Sequence, residues 1–159
     1  MTDFTVENID TPASIDTPNG FEYLDHPADV ILHGWGMTFN MALSECIKGL
    51  ANYMIPVNSV GTSETMKMYI DDIDNDNDAV YLSLDEYLFK FTTELFVAKD
   101  VDAFYSEGEH CMNIICYGET FDSNKHHQGT EVKAITYHNL HIYRNIDGMK
   151  SHIFVMLDI

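Results

Sequence analysis

The sequence predicts an α+β fold, a mostly antiparallel β-sheet or pair of sheets covered by two amphipathic helices in a single domain. Three observations predict it. Two stretches, about 38–54 and 78–97, repeat apolar residues at steps of three and four, as a helix with one buried face does. Six or more other stretches alternate with period two or run apolar between turn residues, as strands do. The helices come early and the β-rich part late, the order of an α+β domain.

Residues 1–19 are acidic, rich in Thr, Asp, Asn and Pro, and end at Pro18-Asn19-Gly20. They read as a disordered acidic tail before a domain over 20–159. Phe21–Leu24 and Val30–Trp35 read as strands punctuated by Pro27 and Gly34. Thr38 is placed to cap a helix whose stripe is Phe39, Leu43, Cys46, Ile47, Leu50 and Met54, with Pro56 preventing continuation. Met41 and Met54 read as fillers of core gaps rather than metal ligands. Thr62–Asp72 alternates Met66, Met68 and Ile70 against Thr65, Lys67 and Tyr69, a strand with one buried face.

The run Asp71-Asp72-Ile73-Asp74-Asn75-Asp76-Asn77-Asp78 is tested as a calcium loop starting at Asp74. Its ligands would be Asp74, Asp76, Asp78 and Asp85. Ala79 stands where such a loop needs Gly, and Asp85 falls within a helix. The run reads instead as a solvated loop whose Asp78 caps the second helix. That helix has the stripe Val80, Leu84, Leu88, Phe91 and Leu95, widened by Tyr87, Phe89 and Phe96. So wide an apolar face suggests burial against a sheet. Val101–Ser106 and Met112–Tyr117 flank a hairpin-like turn at Glu107–His110. Asp122–Gly129 is a polar loop, Glu131–Tyr143 alternates for most of its length, Arg144–Lys150 is a turn, and Ser151–Ile159 is the last strand.

At 159 residues one domain is the default, and a 45% hydrophobic content is that of a globular chain. The formal net charge is −18, from 26 Asp and Glu against 8 Lys and Arg. That balance disfavours direct nucleic-acid binding, which depends on Lys and Arg neutralising phosphates. It favours a basic protein partner or a cation. Cys46, Cys111 and Cys116 are odd in number and widely spaced, so no disulfide framework is expected. A reducing compartment, cytoplasm or nucleus, follows. No apolar stretch is long enough to span a membrane, and the N-terminus lacks the pattern of a signal peptide.

Chemistry concentrates at two places. Asp25, His26 and Asp29 precede the apolar run Val30-Ile31-Leu32, so Asp29 sits where water gives way to protein interior. A carboxylate there must be hydrogen-bonded, paired or bound to a cation, and an ordinary turn aspartate would also satisfy the spacing. At the other end, Ile153–Leu157 is a continuous apolar run, the mark of a strand buried on both faces. Asp158 and Ile159 follow it at once. Carboxylates held together there would repel one another. Asp29, Asp158 and a main-chain oxygen of Ile159 are donors of the type that hard dications take, should they meet. Lys133 lies among apolar strand residues, either as a surface side chain or aimed at a phosphate or carboxylates. Gly129 would allow a tight turn before it. The histidines lack the spacing of a zinc site. No Ser or Cys nucleophile and no Gly-rich phosphate loop is recognisable, so no catalytic residue is assigned.

Three segments, in order, resemble the archease family over about 21–159. They are Tyr23-Leu24-Asp25-His26-Pro27-Ala28-Asp29-Val30 with Leu32-His33-Gly34-Trp35-Gly36, then Lys125-His126-His127-Gln128-Gly129-Thr130-Glu131-Val132-Lys133-Ala134-Ile135-Thr136-Tyr137, and the terminal Val155-Met156-Leu157-Asp158-Ile159. The resemblance implies an accessory protein, not an enzyme. Its partner would be an RtcB-type RNA ligase of tRNA splicing, whose guanylylation by GTP and turnover it promotes. It implies that Asp29, Asp158 and Ile159 bind a divalent metal ion, Ca²⁺ first and Mg²⁺ or Mn²⁺ as alternatives, and that Lys133 assists in ligase activation. Two departures are visible: Pro27 stands where many archeases carry Thr, and the 71–78 aspartate run is longer than expected. An alternative function is a chaperone-like or calcium-responsive protein-binding module.

Overall fold

In a computed structural model that describes residues 17–144 and 149–159, seven strands and two α-helices follow one another. They are β1 (Gly20–His26), β2 (Asp29–Gly36), α1 (Phe39–Met54), β3 (Glu64–Ile70), α2 (Asp76–Glu94), β4 (Phe96–Ser106), β5 (Cys111–Thr120), β6 (Ala134–Tyr143) and β7 (Ser151–Asp158). Every strand pairing is antiparallel, in two sheets ordered β1-β2-β7-β6 and β3-β5-β4. The α+β class expected from the sequence is the class observed. The expected tail lies outside the described residues up to 16, as does 145–148 of the expected last turn.

α1 joins the two sheets. Thr38 caps it by accepting from the Met41 N–H at 3.1 Å, and the whole expected stripe from Phe39 to Met54 is buried. A Cβ on Gly34 of β2 would lie 2.6 Å from the Cys46 Sγ, so the missing side chain lets α1 press against the sheet. The other side of α1 is polar and meets β4, the outer strand of the second sheet. The Asn40 side chain accepts from the Tyr105 N–H at 3.1 Å, and the Ser44 hydroxyl accepts from the Ala103 N–H at 2.9 Å. One helix thus buries the face of one sheet and satisfies the edge of the other, an edge that would otherwise invite foreign strands.

Several expectations are corrected. Met41 is exposed rather than a core filler. Asn75, not Asp78, caps α2, accepting from the Asp78 N–H at 2.8 Å. α2 ends at Glu94, because Leu95 takes a left-handed φ of 57° and turns the chain straight into β4. Phe96 therefore belongs to a strand, and Leu95 is exposed. Val80, Leu84, Tyr87 and Leu88 are buried as expected, but Phe89 is 58% exposed. The candidate calcium loop does not form. Asp76 opens α2 and is held by Arg144 in two bonds of 2.6 and 2.8 Å, and Asp78 accepts from the Tyr137 hydroxyl at 3.0 Å. The alternation expected over 131–143 fails at its start, where Val132 and Ile135 are buried and Lys133 and Ala134 exposed. It fails again between Thr136 and His141, where the β6–β7 register shifts and Asn139 has φ 61°.

β7 is buried from Ile153 through Leu157, as its unbroken apolar run requires. Val30, Leu32, Ile153, Val155 and Leu157 join the main core with both helices, whereas Ile31 and Phe154 pack together on the opposite face. Cys46, Cys111 and Cys116 are free and buried. Among the described residues no helix is long and apolar enough to cross a membrane.

Candidate functional site

The hydrophobic pattern of two core strands sets the site. Pairing Val30 with Leu157, Ile31 with Met156 and Leu32 with Val155 makes Asp29 the direct cross-strand partner of Asp158. A slip of one residue would move Val30 and Leu32, or Ile153, Val155 and Leu157, off the face packed on the helices, so that packing fixes this meeting. Directly opposed residues project from the same face, which here is the face away from the helices. The same row continues on both sides, with His26 opposite Asp29 and Ala134 opposite Asp158. The Lys133 N–H donates to the Asp158 carbonyl at 2.7 Å, and the Lys133 side chain is exposed. The structure therefore brings together Asp29, Asp158, the adjoining Ile159 and the main chain of Lys133.

This end of the sheet is poorly satisfied. Asp29 and Asp158 are half-buried, and among the described residues neither carboxylate has a hydrogen-bond or ion-pair partner. The Nδ1 atom of His26 is buried, also with no partner there. The hairpin between them is strained. Pro27 and then Ala28, at φ 68°, bridge the His26–Asp29 pair, and an alanine in the left-handed region costs roughly 1–2 kcal/mol.

No group of three His, Cys, Asp or Glu side chains among the described residues is placed to hold a metal ion. A divalent cation would instead take the two carboxylates, a main-chain oxygen of Ile159 and ligands from outside the chain. Two unneutralised carboxylates abreast at a water-accessible strand end fit such an open, oxygen-rich centre.

Two satisfied polar networks, both missed by sequence reasoning, frame this end. The first holds the loop that leads to Lys133. The Glu119 carboxylate accepts from the Gly61 N–H at 2.9 Å, from Lys125 at 2.7 Å and from His126 Nε2 at 2.7 Å. These donors, the Gly61 N–H foremost, hold its pKa down at about 2. His126 Nδ1 accepts from the Asp122 N–H at 2.9 Å, which leaves the ring proton on Nε2. The loop then docks on the end of α1, where the Gly129 and Thr130 N–H groups donate to the Met54 and Tyr53 carbonyls at 2.7 and 3.0 Å. Helix ends always leave such carbonyls over. A Cβ at Gly129 would lie 2.4 Å from the Tyr53 oxygen. Close approach, not the expected tight turn, is what demands glycine there.

The second network crosses the same sheet two rows from the acid pair. His33 Nδ1 lies 2.6 Å from Glu22, and its Nε2 lies 2.9 Å from His152 Nδ1, with Phe154 stacked on the ring at 4.1 Å. Burial pushes the His33 imidazole down to about 4. The neutral ring donates to Glu22 and accepts from His152. The available signal was a lone histidine inside a buried apolar strand, which must find partners for both nitrogens.

A sequence model of the Archease protein family matches residues 21–159. The chain is similar to a protein archease-like of Dictyostelium discoideum, 38% identical, covering 87% of this chain and 93% of that one. It is 36% identical to a protein archease-like of Drosophila melanogaster, over 87% of this chain and 90% of the relative. It is 30% identical to a protein archease of Pyrococcus furiosus, over 80% and 91%. In fold it resembles the solution structure of Methanobacterium thermoautotrophicum protein 1598, with TM-score 0.74 at 24% identity, covering 88% of this chain and 99% of that one.

Proposed function

This chain belongs to the archease family, and from that membership we propose that it activates an RtcB-type RNA ligase as a metal-bearing accessory protein rather than as an enzyme. The observation that carries the reading is the cross-strand pair Asp29 and Asp158, two carboxylates without partners among the described residues. The fold gives the half-buried carboxylates of Glu22, Asp76, Asp78 and Glu119 a partner each. Here it holds two acids side by side on the rigid end of a core ladder, a cost that a cation removes.

In this reading Asp29, Asp158 and a main-chain oxygen of Ile159 hold the ion, and the Lys133 N–H fixes the Asp158 backbone. A bound dication would neutralise phosphate charge during guanylylation of the ligase by GTP. The exposed Lys133 ammonium is a second point charge for phosphate at the same edge. The net charge of −18 opposes RNA binding by this chain itself and suits docking on a basic, RNA-binding enzyme. The reading as a calcium-responsive module rests on 71–78, whose Asp76 and Asp78 are already engaged by Arg144 and Tyr137.

The test is ligase guanylylation by GTP with the wild-type chain and with Asp29→Ala plus Asp158→Ala. Stimulation is expected to fall roughly a hundredfold or more in the double variant. Calorimetric titration should show loss of divalent-ion binding in parallel. Equal stimulation by both proteins would overturn the mechanism.

A further inference from the structure

Two clefts adjoin along α2, where the segment 128–133 runs beside the helix before β6 begins. One, of about 290 Å³, reaches from Met54 and Gly129 to Val132. The other, of about 380 Å³, continues past Phe89 to Asp85 and Lys133. Leu88, Thr92, Glu131 and Val132 line both, so the two form one groove. It ends at Lys133, whose N–H is bonded to Asp158. The groove therefore ends beside the strand end that carries Asp158.

We propose that this groove docks an extended segment of the partner ligase, one that bears Lys or Arg beside a large apolar side chain, and so steers the acid end toward the ligase active site. The proposal rests on the ligase reading above. Three features select that occupant. Phe89 stands 58% exposed over a floor of buried Leu88 and Val132, an apolar seat inside a polar rim. The rim carries the exposed carboxylates of Asp85 and Glu131, on a chain of net charge −18, which complements a cationic segment. Among the described residues the N–H of exposed Glu131 makes no main-chain hydrogen bond, so the wall of the groove offers a backbone donor to an extended chain. The segment is held rigid from both ends, by Gly129 and Thr130 on α1 and by Lys133 on β7, so docking requires little ordering of this protein.

The experiment measures affinity for the purified full-length ligase, and guanylylation at saturating amounts of this chain. It compares wild type, Phe89→Ala, Asp85→Lys with Glu131→Lys, and Phe104→Ala. Phe104 is 53% exposed but lies on β4 of the other sheet, and serves as the control. Phe89→Ala and the charge reversal should each weaken binding roughly tenfold or more, with maximal stimulation recovered at saturation, and Phe104→Ala should stay within about twofold. All four substituted sites are exposed, and far-UV circular dichroism checks that each variant folds. If wild type binds the ligase and Phe89→Ala binds within about twofold of it, or if Phe104→Ala weakens binding equally, the groove is wrong and the metal reading stands. If wild type neither binds nor stimulates, both fall.

Discussion

Glu119 and the pair Asp29 and Asp158 are carboxylates treated in opposite ways by one fold. Glu119 sits at the end of β5, where the loops at Gly61 and at 125–126 cross it, and is given a backbone N–H, an ammonium and an imidazole. Asp29 and Asp158 sit at the end of an unbroken ladder, and among the described residues they are given nothing. Irregular backbone needs side chains as ties, so an acid that meets it, as Glu119 meets the loops at Gly61 and at 125–126, is consumed by the structure. The segment that meets the Asp29–Asp158 end is held through the main chain, by the Lys133 N–H on the Asp158 carbonyl, so the acids there are free for something outside the chain. Residues that hold the molecule together are thus the satisfied ones, and candidates for function are the acids left over.

The comparison is sharpened most by Gly129→Ala, on the satisfied side. The new methyl group would meet the Tyr53 and Met54 carbonyl oxygens at 2.4 and 3.0 Å, and those are backbone atoms that cannot swing aside. The loop must lift off α1, uncapping two carbonyls. A loss of about 3 kcal/mol is expected in urea unfolding, the upper range for overpacking a close contact. A loss under about 1 kcal/mol would mean that the loop is not tied to the helix in this way.

Acid titration separates the satisfied groups next. His33, held at about 4, binds fewer protons folded than unfolded between that value and the ordinary 6.5. Its contribution to stability is complete above about pH 6.5 and is lost as pH falls toward 4, worth about 2 kcal/mol once the opposing pull of the Glu22 carboxylate is allowed for. Glu119, held at about 2, contributes in a lower window, complete above its ordinary 4.5 and lost as pH falls toward 2. Stability measured against pH should therefore decline in two steps. His33→Gln should remove the upper step and Glu119→Gln the lower. A profile flat from pH 6.5 to 4 in wild type would contradict the buried neutral imidazole. The sole tryptophan, Trp35, with its ring 5.0 Å from the His33 ring, gives a fluorescence readout of the upper step.

What the sequence could show follows the same division. Regular elements were legible because their side chains repeat: the α1 stripe, the alternation of β3 and the doubly buried β7 all stand where periodicity puts them. The ends of α2 were not, since Asn75 and Leu95 act through single backbone conformations that leave no periodic trace. The Glu119 network joins residues 61, 119, 125 and 126, which no local pattern links. The meeting of Asp29 with Asp158 spans nearly the whole chain. Sequence chemistry could say only that each end offered oxygens, and the resemblance suggested that they meet. Phe89 was misjudged for a related reason: apolar character predicts burial, and an exposed docking residue is where that rule fails.

The finest test of the division lies in the hairpin that carries the acid pair. Ala28 holds φ 68°, a region that glycine enters freely and alanine does not. Pro27 before it fits the first corner of a type II turn, whose second corner prefers glycine. If this strain had no use, Ala28→Gly would relieve it, offset by the greater freedom of glycine in the unfolded chain, for a net gain of about 0.5 kcal/mol. The more informative measurement is divalent-ion affinity. An alanine pinned between Pro27 and Asp29 restricts where the Asp29 carboxylate can go, and a glycine there loosens it. The expected result is a protein slightly more stable in urea that binds its ion a few-fold more weakly. A variant improved in both would show that the strain is incidental, and that the unsatisfied end of the sheet is not organised around a ligand.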